Sequence, residues 1–226
     1  MLVNIFRIDE RNIGDYWSSP FRYFSFPVPF KLVDIKYALE NPQEFQDDIL
    51  IFGGGGMVKE DWCVLLDQFT KTNKCIAWGI GHNFHNGETK IDYKNYLSNF
   101  RLIGVRDFGF HQHVPCASCM SNVFDKKYEI TNETVIYEHH EHPINMDFPK
   151  MTNLGINLEE KIKFLGSAET IITSSYHGAY WGMLLNRKVK VEIPFSSKFY
   201  GFKNNNLEEC RKLNIKFYGD VISLLK

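Results

Sequence analysis

Ser174, Ser175 and His177 fall close together in TSSYHGAYWG (173–182), directly after the apolar run ETII. A histidine at such a turn can exchange protons near neutral pH, its unperturbed pKa being about 6.5. The hydroxyls either cap a helix or contact a ligand, and both readings are open. Gly178 beside them weakens a helix start, which points to close packing there. Arg106, in GVRD, can grip a carboxylate or phosphate with two parallel hydrogen bonds, or pair with Asp107 next to it. The run Gly53, Gly54, Gly55 and Gly56 allows positive φ and can bring backbone N–H groups to an anion, or it can simply form a tight turn. It has neither the lysine of a P-loop nor the GxGxxG spacing.

Two histidine-rich stretches invite a metal reading. HQHVPCASC (111–119) carries a CxxC at Cys116 and Cys119. A zinc site there would draw four ligands from one short loop, and a redox CxxC would open a helix of a thioredoxin-like unit. YEHHEHP (137–143) alternates along a strand and is read as surface or cleft lining. No metal and no cofactor is expected.

These residues need elements to place them. Apolar runs over 2–8, 30–35, 48–52, 74–81, 101–107, 134–140, 169–175 and 189–193 read as strands. Helical spacing separates them at 60–72, 93–100, 158–168 and 176–186, and the segments 206–215 and 219–225 also read as helical. That alternation implies α/β architecture with parallel sheets: two Rossmann-like domains facing across a cleft, over 1–115 and 116–226. The polar segment 114–133 is taken as the linker region. Open parallel sheets bind ligands beyond the carboxyl ends of their strands. Five clusters fall at such ends: Asn12, Gly14 and Asp15; the four glycines; Gly79, Gly81 and His82; Arg106 and Asp107; and Ser174 to Gly178. The aromatic stretch 16–26 either stacks on sugar rings or packs within the fold.

Composition narrows the partners. The 226 residues are 44% hydrophobic, ample for a packed core, and 26 Lys plus Arg face 27 Asp plus Glu. That balance, with no run of like charges, argues against nucleic acid as the main partner while leaving room for a local cationic pocket. No stretch has the length of a membrane span, and the first residues do not read as a signal peptide. Five cysteines do not make a disulfide framework. A soluble cytoplasmic protein is expected; its oligomeric state is not legible.

NIGDYWSSP, ILIFGGGG, WGIGH, GVRD, VPCASC and TSSYHGAYWGMLLNRKV follow one another in the order and approximate spacing of the polysaccharide pyruvyl transferases. The chain resembles that family from Asn12 to Val189. The resemblance implies a fold like that of the glycosyltransferase-B enzymes. It also implies transfer of the pyruvyl unit of phosphoenolpyruvate onto two sugar hydroxyls of a surface polysaccharide, as a cyclic ketal. His177 matches the histidine of the family's late R-x-H motif and would be the acid/base. Arg106 matches the arginine of its RD motif and would hold the donor. Where similar proteins have an arginine two residues before the histidine, this chain has Ser175; Lys198, Lys203 or Arg187 could supply the missing charge. Two alternatives stay open: a glycosyltransferase with a nucleotide-sugar donor, its ribose held by Glu192, and an inactive sugar-binding relative.

Overall fold

The computed structural model describes residues 1–85, 96–199, 201–203 and 206–225. The helix expected over 93–100 begins outside them. Two wholly parallel sheets organise the chain. The first has six strands: β1 (Leu2–Phe6), β2 (Phe30–Asp34), β3 (Ile49–Gly53), β4 (Lys74–Ile80), β5 (Leu102–Val105) and β6 (Gln112–His113). They lie in the order β2-β1-β3-β4-β5-β6. The second is β10-β9-β7-β8, from β7 (Asn132–Glu138), β8 (Lys150–Thr152), β9 (Ala168–Thr173) and β10 (Lys188–Val191). Two Rossmann-like lobes are therefore present, as the alternation of elements predicts.

Each strand order reverses once, between β1 and β3 in the first sheet and between β7 and β9 in the second. Chain crossovers leave such a point in opposite directions, so a crevice opens above it. Among the described residues, helices α1 (Ile13–Tyr16), α2 (Ile35–Glu40), α3 (Glu60–Phe69) and α4 (Leu158–Gly166) connect successive strands, as does the helix after β9. Helix α5 (Tyr176–Leu184) follows β9, and α6 (Leu207–Leu224) closes the described chain. The central strands β1, β3 and β4 are buried along almost their whole length, as strands covered on both faces require.

The lobes share a seam that differs from the expected polar linker. Val114, Cys116, Ala117, Cys119, Val123 and Phe124 are buried, and the segment forms two short 3-10 turns at Ala117–Met120 and Asn122–Asp125. Its apolar residues alternate too irregularly to mark a strand or helix, so polarity dominates the sequence reading. Helix α6 crosses back over the first sheet, with the Phe217 ring 5.2 Å from Trp78. Buried Asn214 accepts from Trp78 Nε1 at 2.9 Å and donates to the Pro115 carbonyl at 3.1 Å. The aromatic stretch 16–26 packs here: the Phe24 ring lies 5.2 Å from Trp78 and 4.8 Å from Tyr218. Core packing accounts for Phe21, Phe24 and Phe26, whereas the Tyr16 and Trp17 rings lie 4.1 and 5.0 Å from the Arg22 guanidinium. Among the described residues no helix is long and apolar enough to cross a membrane.

Candidate active site

A cavity of about 340 Å³ opens where the two reversal points face each other. It is lined from the first lobe by residues after β1, β2, β3, β4 and β5. From the second come residues after β7 and β9, and the segment beyond β10. His177 sits on its floor. Ser175 caps α5, its Oγ accepting from the Gly178 N–H at 3.4 Å, so the imidazole in the first turn is aimed outward from the sheet. A Cβ on Gly14 would overlap the His177 ring, so only glycine at 14 lets the two lobes meet there. Nε2 of His177 contacts Cys116 Sγ at 3.5 Å, which leaves Nδ1 on the side of Gly14.

The histidine's state differs from the sequence expectation. Burial, with Arg106 and then Lys198 adding to it, pushes its pKa well below 6.5. His177 is therefore neutral in the free protein, a base or hydrogen-bond partner and not a ready acid. Only 6% of the residue is exposed, and desolvation disfavours an imidazolium.

Arg106 is 4% exposed and stacks its guanidinium on the Tyr176 ring at 3.8 Å. A Cβ on Gly81 would collide with its side chain, so that glycine makes the channel through which Arg106 reaches the cavity. Its Nε has no hydrogen-bond partner among the described residues. Burial opposes the charge, yet Tyr176, Asp107, Cys116 and Asp15 together hold it protonated. The Asp107 carboxylate, one of the charges that support the guanidinium, also accepts from the His82 N–H at 2.8 Å.

Of the cations proposed to replace the missing arginine, only Lys198 lines the cavity. Lys203 pairs with Glu209 at 3.0 Å, and Arg187 donates to the Gly166 carbonyl at 2.7 Å. Burial lowers the pKa of Lys198 to about 8, against the attraction of Asp15. Asp15 moves the other way: burial raises its pKa although Lys198 and Arg106 pull it down. Its Oδ2 accepts from Asn12 Nδ2 at 3.0 Å.

Asn12, Asp15, Gly56, Arg106, Ser175 and His177 thus line one cavity. Gly14, Gly81 and Gly178 do not line it; Gly178 packs on Thr173 and Tyr137. Gly53, Gly54 and Gly55 form a buried bend in which Gly54 donates to the Trp78 carbonyl at 3.0 Å, so that N–H is not offered to a guest. Gly79 has φ +65 against Pro115. His82, Asp107 and Ser174 are buried and do not line the cavity, and burial lowers the pKa of His82 to about 4. Glu192 does not line the cavity; it pairs with Lys190 at 2.6 Å. Cys116 and Cys119 are buried free thiols, with burial raising both pKa values.

Arg7, Arg11, Lys36 and Lys59 escaped the sequence reading, although Arg7 follows β1 directly. With Arg106 and Lys198 they make six cationic lining residues, against Asp9, Asp15 and Glu141. That excess suits an anion. Arg7 is held by Asp34 at 2.6 Å and Asp9 at 3.3 Å.

A family model described as polysaccharide pyruvyl transferase matches residues 2–189. No curated protein matches the chain.

Proposed function

The chain belongs to the polysaccharide pyruvyl transferase family, and from that premise we propose that it moves the pyruvyl unit of phosphoenolpyruvate onto two hydroxyls of a sugar acceptor. The observation that carries this reading is the buried Arg106 guanidinium, stacked and without a hydrogen bond at Nε, in a cavity richer in cations than in acids. In this reading Arg106 and Lys198 hold the donor's carboxylate and phosphate, with Lys198 standing where Ser175 leaves no charge. Asn12 and Ser175 contribute hydrogen bonds at the same floor.

Two titratable groups whose pKa values move apart mark the acid and the base. Asp15, raised by burial, gives a proton to the donor's methylene carbon, which leaves positive character on the carbon bearing phosphate. One sugar hydroxyl adds to that carbon and gives up its proton, for which the neutral His177 imidazole is the acceptor. Phosphate then departs with the C–O bonding pair and takes the proton held by His177. The second hydroxyl adds and gives its proton to the Asp15 carboxylate, which completes the ketal and restores both groups. Arg106 and Lys198 stabilise the phosphate as it leaves.

Calorimetric titration with phosphoenolpyruvate and with a UDP-sugar tests the assignment. Saturable binding of phosphoenolpyruvate alone is expected. Binding of the UDP-sugar alone would replace the reading with glycosyl transfer, and binding of neither would leave a sugar-binding relative.

A further inference from the structure

Strand β7 runs into EHHEH (138–142), and residues 139–142 close on themselves, His142 donating its backbone N–H to the His139 carbonyl at 2.8 Å. Ser174, at the end of the neighbouring β9, staples this turn. Its Oγ accepts from the His139 backbone N–H at 3.0 Å and donates to the His142 carbonyl at 2.6 Å. One hydroxyl thus holds both ends of a four-residue turn, which fixes the side chains that the turn presents.

Three of those side chains converge. One donor atom from each of His139, Glu141 and His142 lies within 4.8 Å of the others, and His139 Nδ1 stands 3.9 Å from Glu141 Oε2. His140 is held by Asn153, whose Oδ1 lies 3.0 Å from its Nδ1, and its Nε2 stands 3.9 Å from Glu141 Oε1 beside the cluster. The His142 ring rests on Phe195 at 3.6 Å between centroids, so its orientation is set by a wall and not by solvent. His139 is 7% exposed, while the Glu141 side chain is 68% exposed and free to swing.

Metal–nitrogen and metal–oxygen bonds of about 2.1 Å put the donors of a tetrahedral shell about 3.4 Å apart. The present spacing closes to that with a rotation of Glu141 and a small shift of one ring. Two imidazoles and one carboxylate form a donor set suited to zinc and its neighbours cobalt and nickel, and poorly suited to magnesium.

We propose that His139, His142 and Glu141 hold a divalent transition-metal cation at the mouth of the cavity, with a remaining coordination position facing inward. His139 and Glu141 line that cavity, so an oxygen of a bound anion or a sugar hydroxyl can complete the shell. Lys198 is the cation nearest in effect, since it and Glu141 attract one another. A bound dication competes with that lysine, and removing its charge strengthens the metal site. His85 and His140 also face this cluster electrostatically.

The test uses the full chain, stripped with chelator and titrated with Co²⁺ while visible d–d absorption is recorded, and with Zn²⁺ in a calorimeter. One equivalent should bind saturably. His139→Ala and His142→Ala should each weaken binding at least tenfold, Glu141→Gln should weaken it, and Lys198→Met should tighten it. His111→Ala, elsewhere on the surface, should leave it unchanged. Glu141→Gln keeps the test valid if a histidine variant fails to fold, because that side chain is mostly exposed. No saturable binding, or binding unaltered in Glu141→Gln and in the His139→Ala/His142→Ala pair, overturns the site. A protein that binds phosphoenolpyruvate but no cobalt loses this inference and keeps the functional one.

Discussion

At the scale of single residues, the site depends on charges held in places that water does not reach. Arg106 is the clearest case, since its guanidinium is buried, stacked on Tyr176 and turned to the cavity. Arg106→Ala should lower kcat/KM for the donor by roughly 10²-fold, the usual loss on removing one charge-stabilising donor. Circular dichroism should show the fold intact, and an unaltered kcat/KM would return Arg106 to a packing role. Lys198 gives a pH signature with a definite sign. A base whose pKa is lowered to about 8 loses its charge as pH rises through that value, so kcat/KM should fall above pH 8. Lys198→Arg should carry the fall to higher pH, and a profile unmoved by that change would free Lys198 from donor binding. The sequence made Arg106 and His177 legible because both follow apolar runs. It could not show that His177 is neutral, because burial and two cations set its pKa and both come from the fold.

At the scale of elements, strand ends carry the chemistry and glycines set the clearances. Gly14 lies where α1 meets α5, and any side chain there meets His177. Gly14→Ala should reduce kcat about 10²-fold, the loss that a displacement near 1 Å can cause, while the donor Kd changes little. Steady-state kinetics beside calorimetry would separate the two, and an unchanged kcat would mean that the ring moves without consequence. Most strands were legible from their apolar runs, and β3, β4 and β9 fall where those runs place them. Strands β6 and β8, of two and three residues, are too short for any periodicity. The glycine bend shows the opposite error. Its composition suits an anion cradle, but the Gly54 N–H is taken by Trp78, and only Gly56 reaches the cavity.

At the scale of the whole molecule, the two sheets meet with their reversal points facing. We propose that the lobes divide at 115/116, with α6 returning as a strap over the first sheet. Phe217, buried against Trp78, is central to that strap. Phe217→Ala should cost about 3–5 kcal/mol in denaturant unfolding, as truncation of a buried aromatic does. A loss below 1 kcal/mol would show that α6 adds little. The strap was legible as helix but not as a covering for the first lobe, since nothing local in 207–224 marks its partner. Acid should weaken the whole assembly. His82, His139 and His177 all have pKa values below 6.5 in the fold, lowered mainly by burial. The unfolded chain therefore takes up protons first, and stability present above pH 6.5 is lost as pH falls towards 4. Tm should be lower at pH 5 than at pH 7.5, and an equal Tm would contradict the burial of neutral imidazoles. The most direct measurement is a crystal structure of the chain soaked with phosphoenolpyruvate. Density is expected between Arg106, Lys198 and His177, with the carboxylate or phosphate against the guanidinium. Density elsewhere, or an empty cavity in a protein that still turns the donor over, would contradict the placement of the reaction.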